Sequence, residues 1–215
     1  MKIGLTCPAS LPATQFGGIM FLCLDIAKES SKKGHNVSIY TTDMDFANNP
    51  KTFNKNLPRL EKIENFIIKR SHVWFFFKLF FINPGMYFQM INDDMDIIHS
   101  IGVRSFQTLI AALISKKKKI PLIIFMRGNI WEESKWEIKN NSLNNKIQQK
   151  FKEKIRDKCF NQAKIILPIC NYLSEITKNK YPDKKKKRMY QGINPERWYT
   201  SKGMQLKHPC VGLLQ

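Results

Sequence analysis

Three stretches carry residue types and spacings that can do chemistry. Gly17 and Gly18 follow a loop, residues 7–16, that contains Pro8 and Pro12, and they precede an apolar helical stripe. Paired glycines at a helix start leave unpaired backbone N–H groups that can meet an anion or a sugar at close range. The spacing is not GxGxxG, so on these residues alone a plain structural turn is the simpler reading. Arg127, Gly128 and Asn129 follow the near-continuous apolar run 120–125. A guanidinium emerging where such a strand ends needs a carboxylate, a carbonyl or a ligand anion, and Glu132 and Glu133 are its nearest carboxylates in sequence. The third stretch, residues 74–82, reads WFFFKLFFI and is apolar all round except for Lys78. It reads as a helix wedged beneath the domain or under a second domain, or as a membrane or lipid-acceptor surface formed by Trp74, Phe76, Phe77, Lys78, Phe80 and Phe81.

The elements that position these residues alternate. Residues 2–6 read as a strand, and Ile19, Leu22, Cys23, Ile26 and Ala27 as the buried face of a helix closed by Gly34. Residues 37–41 and 66–68 read as the next strands. Residues 96–101 form another, carrying His99 into a turn at Gly102. Phe106, Leu109, Ile110, Leu113 and Ile114 make a second helical stripe, ended by the lysines 116–119. After the strand 120–125, Ser142 can cap a long basic helix with Leu143, Ile147, Phe151 and Ile155 every four residues. Residues 164–169 read as a strand and Asn171 as the cap of a short helix. This alternation predicts an α/β chain with a mostly parallel sheet and helices on both faces.

Composition narrows the class. The 215 residues carry a formal net charge of +19. Residues 1–50 sum to zero, with Lys2, Lys28, Lys32 and Lys33 set against Asp25, Glu29, Asp43 and Asp45, so the whole excess lies beyond residue 50. Such a field favours polyanions: nucleic acid, an anionic bilayer or a phosphorylated substrate. No RNA- or DNA-binding module signature is present, and the aromatics cluster apart from the lysines, which argues against nucleic acid. The five cysteines form no Cys-x-x-Cys pair, and no His stands at metal-ligand spacing, so a disulfide framework and a metal site are both unexpected and a reducing cytoplasm fits. No apolar run reaches the roughly 18 residues of a spanning helix, and the prolines and glycines of 8–18 do not suit a signal peptide.

The motifs taken together resemble the N-terminal domain of GT-B-type glycosyltransferases of the retaining, nucleotide-sugar-dependent group 1 (family 4-like). They are Gly17-Gly18, Gly34-His35-x-Val37, Asp96-Ile-Ile-His99, Arg127-Gly128, Ala163-Lys-Ile-Ile, and Gln191-Gly192-Ile193-Asn194 where that family usually has Asn-Gly-Ile-Asp. The resemblance implies a Rossmann-like domain over residues 1–200, with 201–215 as a linker and the first strand of a C-terminal donor-binding domain. It implies sugar transfer from a nucleotide sugar to a glycan or lipid-linked acceptor, with retention. The nucleotide sugar is then a substrate, and no cofactor or metal is implied. Partners would be the C-terminal domain in cis or trans, the two substrates and an anionic membrane surface. The location would be cytoplasmic, peripheral on the inner face of the cell membrane. Gly17, Gly18, Gly128, Asn129 and Gly192 would approach the acceptor and donor phosphates. Arg127, where the family often has His, would be catalytic, orienting hydroxyls or stabilising phosphate charge, since a guanidinium is not a general base. His99 is a second catalytic candidate, though a structural or acceptor-side role suits its strand better. The family's Glu-x7-Glu signature of the donor half is absent, so this chain alone is expected to transfer little. The alternative is a non-catalytic membrane-surface module derived from the same fold.

Overall fold

The computed structural model describes residues 1–45, 52–77, 80–128, 143–190 and 192. Its centre is an eight-stranded sheet of β1 (Lys2–Thr6), β2 (Asn36–Thr42), β3 (Leu60–Ile63), β4 (Phe66–Ser71), β7 (Ile97–Ile101), β8 (Leu122–Met126), β9 (Ile165–Pro168) and β10 (Lys185–Lys186). The spatial order is β10-β9-β8-β7-β1-β2-β4-β3. Every pair in it is parallel except the edge hairpin β3–β4. The central strands are apolar on both faces, as strands covered on both sides must be. β3 has no fully buried residue and pairs only at the rim, which is why no apolar run announces it.

Helix α1 (Gly18–Lys32) covers one face. It packs Met20, Cys23, Leu24 and Ala27 with Leu5, Val37, Ile39, Ile101 and Phe125 into one core. Leu22, Cys23 and Ala27 of the expected stripe are buried, whereas Ile19 and Ile26 are half-buried against the same core and Met20 and Leu24 are buried in addition. Helices α2 (Gly85–Asn92), α3 (Phe106–Lys118), α4 (Leu143–Gln162) and α5 (Asn171–Lys180) contribute Met86, Ile110, Ile155 and Leu173, respectively, to the core on the other face. Gly34 closes α1 with φ +81°, and Lys119 ends α3 in the left-handed region at φ +57°. Cys170, not Asn171, is the N-cap of α5, and the Asn171 carboxamide accepts from Arg188 instead.

The aromatic stretch is not a helix. It is a two-stranded ribbon, β5 (Phe75–Phe77) against β6 (Phe80–Ile82), antiparallel with Phe76 opposite Phe81 and Phe77 opposite Phe80. Aromatic residues favour extended backbone, and a ribbon gives each face its own environment. Phe81 is fully buried with Ala9, Ala13, Met44 and Val73 in a third small core, so it is not the surface residue expected of it. Phe80 is half-buried against Phe106 and Phe151. Lys78 lies outside the described residues.

Candidate functional site

The parallel sheet sends the loops after β1, β7 and β8 to one edge, where open α/β sheets take their ligands. The loop after β1 is tied down at both ends. The Cys7 N–H donates to Tyr40 O at 3.1 Å. Arg70, 1% exposed at the end of β4, donates to Leu11 O at 2.7 Å and Pro58 O at 3.0 Å and pairs with Glu61 at 2.5 Å. The loop closes with a 3-10 turn, Thr14–Phe16, and Gly17 caps α1 at φ +84°, ψ −157°. That conformation is open only to glycine, although a Cβ there would meet nothing within 4 Å. Among the described residues the N–H groups of Gly18 and Ile19 have no acceptor, which leaves them for a ligand.

A buried chain of hydroxyls fixes the next loop. Thr6 donates to Ser100 at 2.9 Å, Ser100 to Thr108 at 2.8 Å, and Thr108 to Gly102 O at 3.2 Å. Ser105 caps α3 by accepting from the Thr108 N–H at 3.1 Å. Gly102 turns at φ +121° and donates to Phe125 O at 3.3 Å, while its absent Cβ would lie 3.5 Å from Ile19 Cδ1. The ends of β1, β7 and β8 and the starts of α1 and α3 are therefore locked to one another.

Between them lies a cleft of about 420 Å³. Pro8, Phe16 and Ile19 wall one side, Gly102 to Ser105 another, and Phe77, Phe80 and Lys152 the rest. Arg104 and Lys152 supply positive charge, and two helix starts add their dipoles. An apolar wall with a cationic, N–H-rich floor suits a ligand that joins an apolar or ring portion to an anionic one.

Of the residues singled out by sequence, Phe77 and Phe80 line this cleft, and Gly17 and Gly18 stand in the chain between its lining residues Phe16 and Ile19. Arg127 stands one residue past the end of β8, exposed, beside the Gly102 turn, and it makes no ion pair with a described residue. Gly128 follows it. Gly192 is exposed, three residues after Met189, whose N–H bonds Pro168 O at the end of β9. Asn129, Glu132 and Glu133 lie outside the described residues, as do residues 193–215. His99 is not brought into the group. It occupies the middle of β7 with Leu5 and Ile123 as its neighbours across the sheet. Its Nε2 is buried without a partner, and burial pushes its pKa down to about 4, so it stays neutral at ordinary pH.

Sequence reasoning missed three features. Arg104 and Lys152 join the cleft only through the fold. Asp43, 1% exposed after β2, accepts from the Val73 N–H at 3.1 Å and holds His72 Nδ1 at 2.5 Å after β4. The only local signal among these was Ser105, a helix cap three residues after Gly102, which marks the turn holding Arg104. Among the described residues no cluster of three His, Cys, Asp or Glu could hold a metal ion, and the four described cysteines are free.

Comparison with known proteins agrees with this architecture. A sucrose-phosphate synthase structure from Thermosynechococcus elongatus matches at 8% identity over 92% of this chain and 92% of that one, with a TM-score of 0.53. Arabidopsis thaliana UGT89C1, complexed with UDP-L-rhamnose, matches at 11% identity over 88% of this chain and 48% of its own, TM-score 0.53. Phytolacca americana UGT2, complexed with UDP-2fluoro-glucose and pterostilbene, matches at 10% over 90% and 54%, TM-score 0.50. At these identities the likeness concerns the fold, and this chain spans about half the length of the two latter proteins. A search of curated proteins by sequence gives no match. The family model for Glycosyltransferase Family 4 matches residues 16–197, most of the chain and all of the elements just described from α1 onward, and the chain belongs to that family.

Proposed function

We propose that this chain is the acceptor-side half of a sugar transferase that moves a sugar from a nucleotide sugar to a glycan or lipid-linked acceptor with retention of anomeric configuration. Residues 1–200 bind the acceptor, and 201–215 lead to a donor-binding domain that closes over the cleft in cis or in trans. The enzyme works in the cytoplasm, peripheral on the inner face of the membrane. The nucleotide sugar is a substrate, and no resident cofactor is called for. The observation that supports this reading is the convergence at one sheet edge of the Gly18 and Ile19 N–H groups, the Gly102 turn and the exposed Arg127 guanidinium, none of the N–H groups or the guanidinium having a partner among the described residues.

Each group has a role that its position supports. The α1 start receives the diphosphate or an acceptor oxygen, because its N–H groups and dipole favour developing negative charge. Arg127 stabilises the diphosphate as it leaves the sugar, and its fixed fork matches two phosphate oxygens at once. Gly128 and Gly192 let backbone approach the ligand, and Asn129, outside the described residues, is assigned with them from the sequence alone.

The test uses the full-length protein with a panel of nucleotide sugars, reading nucleotide release and the anomer of the product. Arg127→Lys keeps charge and fold but loses the fork. Turnover should fall by about tenfold or more, some 1.4 kcal/mol in the barrier. Because the side chain is exposed, the melting temperature should hardly move. Unchanged turnover with a lower melting temperature would make Arg127 a structural ion-pair residue, and an inverted product anomer would refute retention.

A further inference from the structure

Five exposed aromatic side chains lie around β5 and on α4. Trp74, Phe75, Phe76 and Phe77 are 75%, 60%, 40% and 37% exposed, and Phe151 on α4 is 57% exposed. None has a hydroxyl to satisfy water. Phe77 lines the cleft together with Phe80, and Phe80 meets the Phe151 ring at 6.2 Å, so these three form one rim, while Trp74 and Phe75 precede Phe77 in the chain and Phe76 meets Phe53 at 5.3 Å. The strand bearing them is held firmly. Phe81, opposite Phe76, is fully buried, and its carbonyl accepts from the buried Gln107 side chain at 2.9 Å. Gln107 also donates to Asn83 at 2.7 Å, and the Trp74 N–H donates to Ile82 O at 2.9 Å. An anchored inner strand thus presents an outer strand of three exposed aromatics, preceded by the exposed Trp74.

We infer that Trp74 and β5 form a membrane-docking surface that seats the cleft mouth on an anionic bilayer. Charge complementarity chooses the occupant. The chain carries +19, all of it beyond residue 50. Lys150 and Lys154 flank Phe151 on α4, both exposed. Behind the rim, the groove between α3 and α4 holds Lys116, Lys154 and Lys158, with Asp157 the one acidic residue lining it. Aromatic rings at the headgroup level with lysines reaching the phosphates are the chemistry of an interfacial surface. Basic residues draw the protein to the anionic leaflet and aromatic insertion holds it there. Among the described residues no helix is long and apolar enough to cross a membrane, so the contact would be peripheral. Seated this way, the cleft opens toward the bilayer and takes a lipid-linked acceptor from it. That last step rests on the sugar-transfer reading, whereas the docking surface does not.

The experiment is vesicle co-sedimentation of the full-length protein, without any sugar donor, so that docking and transfer fail separately. Vesicles are phosphatidylcholine alone or with about 30% phosphatidylglycerol, at low salt and at about 0.5 M salt, where charge is screened beyond a few ångströms. The protein should bind the anionic vesicles at low salt and keep part of that binding at high salt. The double variant Trp74→Ser, Phe75→Ser should lose the salt-resistant part by about tenfold or more, with an unchanged melting temperature. Leu60→Ser with Tyr172→Ser, exposed apolar residues elsewhere, should change neither. Absent vesicle binding by the folded protein overturns the inference. Binding that salt abolishes completely, equally in both variants, reduces it to charge adhesion and also overturns it. Self-association that the double variant removes, without vesicle binding, reassigns the surface to a second copy of the chain.

Discussion

Replacing Arg70 with methionine tests how the cleft is held open. The guanidinium is 1% exposed and spans three acceptors: Leu11 O at 2.7 Å, Pro58 O at 3.0 Å and Glu61 at 2.5 Å. Leu11 belongs to the loop that brings Pro8 and Phe16 to the cleft, so the side chain ties that loop to β4. A hydrogen bond to a charged group contributes about 1.5–3 kcal/mol. Not all of the three is lost. Glu61 is 37% exposed and can rehydrate, Arg70 Nε already lacks a partner, and methionine recovers some apolar burial. What remains is chiefly two carbonyls stripped of their donor, for a net cost of about 3 kcal/mol. For a chain of this size that is a fall of about 6–12 °C in melting temperature. Arg70→Lys keeps the charge but one ammonium cannot span three acceptors, so its fall should be about half as large. The assay is thermal unfolding by circular dichroism, with limited proteolysis of loop 7–16 as the local readout. A melting temperature for Arg70→Met within about 2 °C of the parent would refute the reasoning.

Other outcomes follow from the same geometry. Gly17→Ala should cost about 1–3 kcal/mol through backbone strain alone, since its Cβ meets nothing, whereas Gly192→Ala, also in open space and without a positive φ, should be neutral in thermal unfolding. His99 gives a pH dependence with a definite sign. The unfolded imidazole takes a proton near pH 6.5 while the folded one stays neutral down to about 4. Stability is therefore complete above pH 6.5 and falls as the pH drops from there toward 4, by up to about 3 kcal/mol. His99→Leu should flatten that part of the curve in urea unfolding between pH 7 and pH 4.5, and an equally steep loss in both proteins would sink the assignment.

How much could be read from the chain depends on where the deciding contacts lie. β1, β7, β8 and β9 show as short apolar runs and β2 as an alternating one, and α1 and α3 show as stripes. Residues 74–82 carry no such information. Nine residues with one lysine fit neither period, and the choice between helix and ribbon is made elsewhere, by Gln107 holding the Phe81 carbonyl and by Val73 and Met44 packing on its ring. The Asp43–His72 pair and the Arg70 brace join residues 29 and 59 positions apart, for which local spacing holds no trace. Arg104 and Lys152 were hidden for a different reason. Among 36 lysines and arginines, nothing local marks the two that reach the cleft.

Arg127 and His99 show what the sheet adds to residue type. Both are basic side chains on apolar strands, and either could be assigned to catalysis from its chemistry alone. The register separates them. Ile101 pairs with Phe125, so Gly102 and Met126 are level at the edge and Arg127 is the first residue beyond it. His99 stands three positions earlier, roughly 10 Å back along the strand at about 3.3 Å per residue. There it lies between Leu5 and Ile123, with its Nε2 buried and the imidazole held neutral by that burial. A parallel sheet delivers to its carboxyl edge whatever residue follows the last ladder bond. At that edge this chain has glycines after β1 and β7 and an arginine with its glycine after β8. The register thus sets an exposed arginine at the edge beside a glycine turn and holds the histidine back inside the ladder.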